Sequence, residues 1–221
     1  MRNMIQPRVF ETDHGFQGES GVRSYDAMMR RFRDKGWLVT GSIIESGISS
    51  GIGLEIGPGP GYLGLEWLKH TDDTELYAVD ISSGMIKVAQ QNAAEYNMKG
   101  RARYVLGDAK KAPFADSIFD AAFSNYSLHE WSEPESIFHE VRRVLKKGGR
   151  FFISDFRRDI DLPVVSFMYY STLPEEMRPG LIASINASYT AEEITGIIMQ
   201  VDFHKFTVNE SPMGMEITGE S

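Results

Sequence analysis

Residues Leu54 to Gly64 read LEIGPGPGYLG, which sets an acid, Glu55, two positions ahead of Gly57, Gly59 and Gly61, with Gly64 three positions further on. Glycines at this spacing let a backbone turn tightly and let a ligand come close where a Cβ would block it. Asp80 and Asp108 each end a later apolar run, and their carboxylates are acceptors for hydroxyl or amino donors on such a ligand. A further cluster, NYSLHEW from Asn125 to Trp131, brings Tyr126, His129 and Glu130 together, and Asp155 follows the next apolar run. His129 has the intrinsic pKa of a physiological base, although a histidine at the start of a turn also packs beneath it as a structural residue. His129 and Glu130 lack the second histidine of H-E-x-x-H, so a metal is not expected.

These residues need a scaffold, and the sequence supplies strand-like and helix-like segments in alternation. Tyr25, Met28, Met29 and Phe32 share one face of a helix expected to start near Ser24, and a second helix is expected from Gly36 to Glu45, ended by the Gly47 to Gly51 cluster. IGLEIG, ELYAVD, RARYVLGD, FDAAFSN and RFFISD read as five strands. Between them lie helices marked by Leu63, Leu65, Trp67 and Leu68, by a cap at Ser82 or Ser83 ahead of Met85, Val88, Ala89 and Asn92, and by Pro134 at a first helical position after Ser132 or Glu133. Gly148 and Gly149 are expected to close that last helix. Trp67 reads as packing. Residues 156–189 form an apolar, aromatic insertion expected to cover the strand ends. Thr190 with Glu193 then spells a capping box, and FHKFTVNE and MGMEIT read as a closing strand pair. Such alternation implies right-handed crossovers, a doubly wound, mostly parallel sheet with helices on both faces, and ligands at the carboxyl ends of the strands.

Composition narrows the functions. The 221 residues carry 23 Lys and Arg against 31 Asp and Glu, a net charge of -8 that disfavours a phosphate backbone as partner. No cysteine is present, which excludes disulfides, thiolate metal sites and a cysteine nucleophile. The first residues show no apolar run of signal-peptide length, and no stretch approaches the roughly 18 apolar residues of a membrane span, so a cytoplasmic protein is the expectation.

The glycine loop fits two cofactors. Gly59, Gly61 and Gly64 spell the G-x-G-x-x-G of a dinucleotide site, while Glu55, Gly57, Gly59 and Gly61 spell the acid-x-G-x-G-x-G of an S-adenosylmethionine site. Asp80 suits the ribose of either. Pro58 and Pro60, however, remove two N–H donors that a pyrophosphate would need. Glu55 suits the ammonium and sulfonium of S-adenosylmethionine and would be poorly placed beside a pyrophosphate. About fifty residues also precede the loop, whereas a dinucleotide fingerprint commonly opens its domain.

In order and spacing, LEIGPGPG, LYAVD, GDA, FD and LKKGGRFFISD resemble the class I S-adenosylmethionine-dependent methyltransferase family over roughly Gly51 to Asp155. The resemblance implies a seven-stranded sheet whose last strand is antiparallel. It also implies Gly57, Gly59 and Gly61 at the methionine moiety with Glu55 near it or holding the loop, Asp80 on the ribose, Ile81 and Met85 at the adenine, Asp108 with Ala109 at the adenine edge, and Asn125 at the methionine end. One domain follows, with an N-terminal helical extension over 1–50, a core over 51–155, the insertion over 156–189 and a closing helix and strand pair over 190–221.

Methyl transfer from a sulfonium is an in-line displacement, so aligning donor and acceptor is the main task, and a base is needed only for an acceptor that carries a proton. His129 and Tyr126 are the catalytic candidates. Asn125-Tyr126-Ser127 departs from the Asn/Asp-Pro-Pro-Tyr/Phe motif of enzymes that methylate amino groups of bases or glutamine, which favours a small-molecule acceptor. Tyr25 and Met29, with Phe167, Tyr169 and Tyr170, are candidates to roof its site, and Arg157, Arg158 and Arg178 to pair with an anionic one. An NAD(P)-dependent oxidoreductase and a non-catalytic S-adenosylmethionine-binding accessory protein are the alternatives.

Overall fold

The computed structural model describes residues 7–11 and 18–221. Stretches 1–6 and 12–17 of the expected N-terminal extension lie outside the described residues. The chain runs α1 (Glu19–Asp34), α2 (Thr40–Glu45), β1 (Ile52–Ile56), α3 (Tyr62–Lys69), β2 (Glu75–Asp80), α4 (Ser83–Glu95), β3 (Ala102–Leu106), β4 (Phe119–Asn125), α5 (Pro134–Val144), β5 (Leu145–Asp155), α6 (Leu162–Ser171), α7 (Arg178–Ala187), α8 (Ala191–Ile198), β6 (Lys205–Ser211) and β7 (Gly214–Glu220). The seven strands form one sheet in the order β3-β2-β1-β4-β5-β7-β6. The β1–β2, β1–β4, β2–β3 and β4–β5 pairs are parallel, whereas β7 runs antiparallel to both neighbours. Since β6 and β7 are antiparallel to each other, β7 alone is reversed in the sheet.

Side chains alternate across this sheet, so each strand feeds two cores. Leu54, Ile56, Ala122, Phe151 and Ile153 face α5 and α8 through Phe138, Val141, Ile194 and Ile198. Leu76, Ala121, Phe123 and Phe152 face the other way, toward Ile43 of α2, Leu65, Trp67 and Leu68 of α3, and Ala93 of α4. Trp67 is fully buried and donates its indole N–H to the Ile48 carbonyl at 2.8 Å, the packing role expected of it. Local signals behave as read at Ser82, whose side chain caps α4 by accepting from the Met85 N–H, at Pro134 opening α5, and at the Thr190–Glu193 capping box.

Three boundaries differ from expectation. Helix α1 begins five residues before Ser24, after Gly18, whose φ of 76° suits glycine. Helix α2 is only six residues long because Gly36, at φ 67°, breaks the chain and exposes Trp37 before Thr40. Gly148 and Gly149 do not close α5. The chain turns extended at Leu145, and the glycines sit inside β5 at a bulge where its pairing with β4 jumps from Phe119–Leu145 to Ala121–Arg150.

Helix α1 is tied over the end of β1. The Tyr62 hydroxyl donates to Asp26 Oδ1 at 2.9 Å, and Asn92 Nδ2 donates both to that oxygen and to the Pro60 carbonyl. Among the described residues no helix is long and apolar enough to cross a membrane.

Candidate active site

The glycine loop can be followed donor by donor. The Gly57 N–H goes to the Val79 carbonyl, the Gly59 N–H to Asp80 Oδ2 at 3.1 Å, and the Gly61 N–H to the Pro58 carbonyl. Pro58 and Pro60 have no N–H, so every donor from Gly57 to Gly61 is already satisfied within the chain. All three glycines have positive φ, 64°, 51° and 82°, which is the geometry that requires glycine here. Glu55 finishes the arrangement. It lies on the α3 side of β1 and accepts from the Gly64 N–H in the first turn of α3, with Gly64 leaving no room for a Cβ against it. Burial pushes its carboxyl up to about 8 despite that bond, and Oε2 has no partner among the described residues, as suits a carboxyl that keeps its proton. One of the helix N-terminal donors a pyrophosphate would use is therefore already engaged by the protein's own acid.

A cavity opens beside this loop, at the carboxyl ends of β1, β2 and β4. Gly57, Gly59, Asp80, Ile81, Met85, Asp108 and Ala109 line it, together with Tyr25, Tyr126 and Glu130. Asp80 Oδ1 accepts from the Ser82 N–H at 2.8 Å and Asp108 Oδ1 from the Lys110 N–H at 2.8 Å, so both acids cap the turn that follows them and also face the cavity. Burial raises the Asp80 carboxyl to about 6, against the N–H groups of Ser82, Gly59 and Ile81, which leaves it mostly ionised at neutral pH.

A second cavity adjoins the first and shares Tyr25, Tyr126 and Glu130 with it. Its remaining wall comes from Met28 and Phe32 of α1, His129, Phe156, Met177 and the Leu181 and Ser184 face of α7, with Glu11 on the far side. Tyr126 stacks on Phe156 with centroids 4.5 Å apart and holds a left-handed φ of 55°, an uncommon backbone for an aromatic residue and one that aims its ring at this wall. Burial and the Asp155 charge push its phenol up to about 12, so it is neutral. His129 is buried on a short turn, Leu128–Glu130. Its Nδ1 lies 2.9 Å from Asp155 Oδ1, its backbone N–H donates to Asp155 Oδ2 at 2.7 Å, and its Nε2 faces Glu11 at 3.8 Å. Burial pulls its pKa down, but Asp155, with Glu130 and Glu11, outweighs that and raises it to about 9. At neutral pH His129 is an imidazolium that holds the turn in place. Of the two expectations for His129, a base or a residue packed beneath the turn, this geometry favours the second. Residues 7–11 strap this turn from outside, with Arg8 donating to the His129 and Trp131 carbonyls and stacking 4.1 Å over Tyr189, and Val9 bonding to Asn186.

The structure thus brings together Gly57, Gly59, Asp80, Ile81, Met85, Asp108, Ala109, Tyr126 and Tyr25 from the sequence-predicted set. Others fall elsewhere. Glu55 and Gly61 build the loop from behind, Gly61 packing against Tyr104 and Ala89. Asn125 accepts from Ser154 Oγ at 2.6 Å and is absent from the cavity wall. Met29 turns with Val22 toward the protein interior, which leaves Met28 and Phe32 to line the second cavity. Tyr169 and Tyr170 lie outside both cavities, because α6 buries none of its residues, and α7 supplies the wall instead. Arg157 pairs with Asp159 and Glu210, Arg158 with Glu193 and Arg178 with Glu175, so the arginines serve the fold. Sequence reasoning missed Glu11, Ser127, Trp131, Met177, Leu181 and Ser184 as wall residues. The NYSLHEW run was signal enough for Ser127 and Trp131, but nothing local marks the others.

Comparison with known proteins accords with this geometry. Residues 54–153 match a family model described as a methyltransferase domain. The chain is 30% identical over 149 residues to the mitochondrial 2-methoxy-6-polyprenyl-1,4-benzoquinol methylase of Homo sapiens, covering 62% of this chain and 45% of that one. It is 29% identical over 154 residues to the ubiquinone/menaquinone biosynthesis C-methyltransferase of Idiomarina loihiensis, covering 67% and 61%. The chain thus spans about half the length of these relatives. A SAM-dependent methyltransferase of Aquifex aeolicus shares the fold with a TM-score of 0.71 at 19% identity, over 93% of this chain and 99% of that one. In its five motifs in order, its reversed seventh strand and the match over residues 54–153, the chain is similar to class I S-adenosylmethionine-dependent methyltransferases, and it shares their fold.

Proposed function

We propose that this chain transfers the methyl group of S-adenosylmethionine to a small organic molecule. The single observation that carries the cofactor assignment is the loop in which Gly57, Gly59 and Gly61 spend their N–H groups on the protein and Glu55 takes the Gly64 N–H, so that the glycine donors a pyrophosphate would use are engaged. In this reading Asp80 takes the ribose hydroxyls, Ile81 and Met85 hold the adenine ring, Asp108 and Ala109 meet its edge, and Gly57 and Gly59 leave space for the methionine end. S-adenosylmethionine supplies an electrophilic methyl carbon on a sulfonium. The protein's part is alignment, with Tyr126, Tyr25 and Glu130 forming the shared wall across which donor and acceptor meet. Small organic acceptors are also what the named relatives act on, a benzoquinol in the human case. The acidic net charge gives no support to a nucleic-acid partner. Residues 18–50 and 156–189 serve as the covering parts of a single domain built on 51–155 and closed by 190–221.

The test is incubation of the protein with isotopically labelled methyl-S-adenosylmethionine and a small-molecule extract, read by mass spectrometry. The expected result is a labelled small molecule that appears in step with S-adenosylhomocysteine. Binding of S-adenosylhomocysteine with no labelled product from any pool would favour an accessory role instead.

A further inference from the structure

The second cavity is sorted by charge. Among the described residues its wall contains Glu11 and Glu130, no lysine or arginine, and one cation, His129, which is held by Asp155 and faces Glu11. Asp155 is saturated by the His129 N–H, His129 Nδ1 and the Phe156 N–H. Glu11 accepts from Ser184 Oγ at 3.2 Å and faces the imidazolium. Glu130 differs from both. Its carboxylate has neither a hydrogen bond nor an ion pair among the described residues, and it is the one acid common to the two cavities. Tyr25, Phe32, Tyr126 and Phe156 line the same cavity, and aromatic rings attract a cation. A carboxylate or phosphate entering this space would meet Glu11 and Glu130, with only neutral hydroxyls and an imidazolium already bonded to Asp155 to offset them.

Resting on the methyltransferase reading, we infer that the second cavity is the acceptor site, that its ligand is a small amine bound as the ammonium, and that Glu130 is the catalytic residue that takes the ammonium proton. In the step this implies, one N–H proton passes to a Glu130 oxygen and frees the nitrogen lone pair. That pair forms the C–N bond to the methyl carbon as the C–S bond breaks, with its electrons staying on sulfur. The product leaves as a methylated ammonium, and the Glu130 proton goes to solvent.

The experiment is calorimetry on the full chain saturated with S-adenosylhomocysteine, titrated with propylamine and phenethylamine and, as anionic counterparts, with propionate and 3-phenylpropionate. Failure of S-adenosylhomocysteine to bind in the first titration overturns the methyltransferase reading and the inference built on it, whereas the amine titrations bear on the inference alone. With that ligand in place, at least one amine is expected to bind tenfold or more tighter than its carboxylate counterpart. E11Q, whose carboxylate lies in the second cavity alone, is expected to weaken the amine at least fivefold and leave S-adenosylhomocysteine affinity unchanged. E130Q is expected to weaken the amine and abolish label transfer to it, with the far-ultraviolet circular dichroism of the wild type retained. Equal or tighter binding of the carboxylates, no detectable amine binding, or amine affinity unmoved in both variants would overturn the inference.

Discussion

The His129–Asp155 pair is the sharpest place to test the physical reasoning, because its effect has a sign, a size and a pH window. The imidazole pKa rises from 6.5 to about 9 on folding. At about 1.36 kcal/mol per tenfold change in proton affinity, that is roughly 3 kcal/mol of stability tied to the proton on His129. Because the folded-state value is the higher one, this stability is fully present below 6.5 and is lost as pH rises through about 9. The measurement is urea unfolding of E130Q and of E130Q combined with H129Q at pH 6.5, 7.5, 8.5 and 9.5. Glu55, whose carboxyl burial raises to about 8, also lowers stability as pH rises toward that value but does so in both proteins. Glu130, raised to about 7 against the His129 charge, would not cancel, so both proteins carry E130Q and the difference between the two curves then isolates His129. That difference is expected to shrink by roughly 3 kcal/mol from pH 6.5 to pH 9.5. At the acidic end H129Q is expected to be less stable by roughly 3–5 kcal/mol, since Asp155 is then buried without its cation. A difference that stays flat across the window, or an NMR titration of His129 with a midpoint at or below 6.5, would refute the claim that this histidine is a structural cation and restore it as a candidate base.

Other expectations come from individual contacts. Replacing Asp80 by Ala removes a cavity-facing carboxylate and also the acceptor for the Gly59 and Ser82 N–H groups, so S-adenosylhomocysteine affinity should fall at least about tenfold, or roughly 1.4 kcal/mol; unchanged calorimetric affinity would exclude Asp80 from the site. Trp67→Ala empties a fully buried position between α3 and Phe123 and should cost roughly 3–5 kcal/mol in urea unfolding, with a loss under about 1 kcal/mol arguing against this core. Arg8→Ala frees the strap from the His129 and Trp131 carbonyls and should lower stability by roughly 2 kcal/mol while leaving S-adenosylhomocysteine affinity intact; a melting temperature equal to wild type would show that the strap contributes nothing.

Legibility in the sequence tracked the range of the interactions involved. β2 and β4 begin and end where ELYAVD and FDAAFSN do, and the Thr190 capping box forms as spelled, because each depends on side chains within a few residues. The residues lining the first cavity were legible for the same reason, since a parallel sheet puts the residue after each strand at one edge. Met29 against Met28 was not legible. A helical face 100° wide contains both, and only the packing of α1 on α3 and α4 decides which turns inward. Tyr169 and Tyr170 misled because an aromatic run reads as a roof wherever the chain happens to carry it, and α7 supplies the roof here. The role of Glu55 was half legible. Its place in the loop was read, but burial leaves it protonated where a charge was expected, and its partner, the Gly64 N–H, comes into reach only once α3 folds back over β1. His129 looked like a base because its intrinsic pKa is that of one, and the Asp155 that fixes its charge lies twenty-six residues away on β5.

The central claim is that the loop from Gly57 to Gly61 has spent its donors on the protein, with the Gly64 N–H held by Glu55, and so accepts the sulfonium cofactor in place of a dinucleotide. Paired calorimetric titrations of the full chain with S-adenosylhomocysteine and with NAD and NADP test it most directly. Saturable one-to-one binding of S-adenosylhomocysteine is expected, with no heat of binding from either dinucleotide. Binding of NAD or NADP with none of S-adenosylhomocysteine would contradict it.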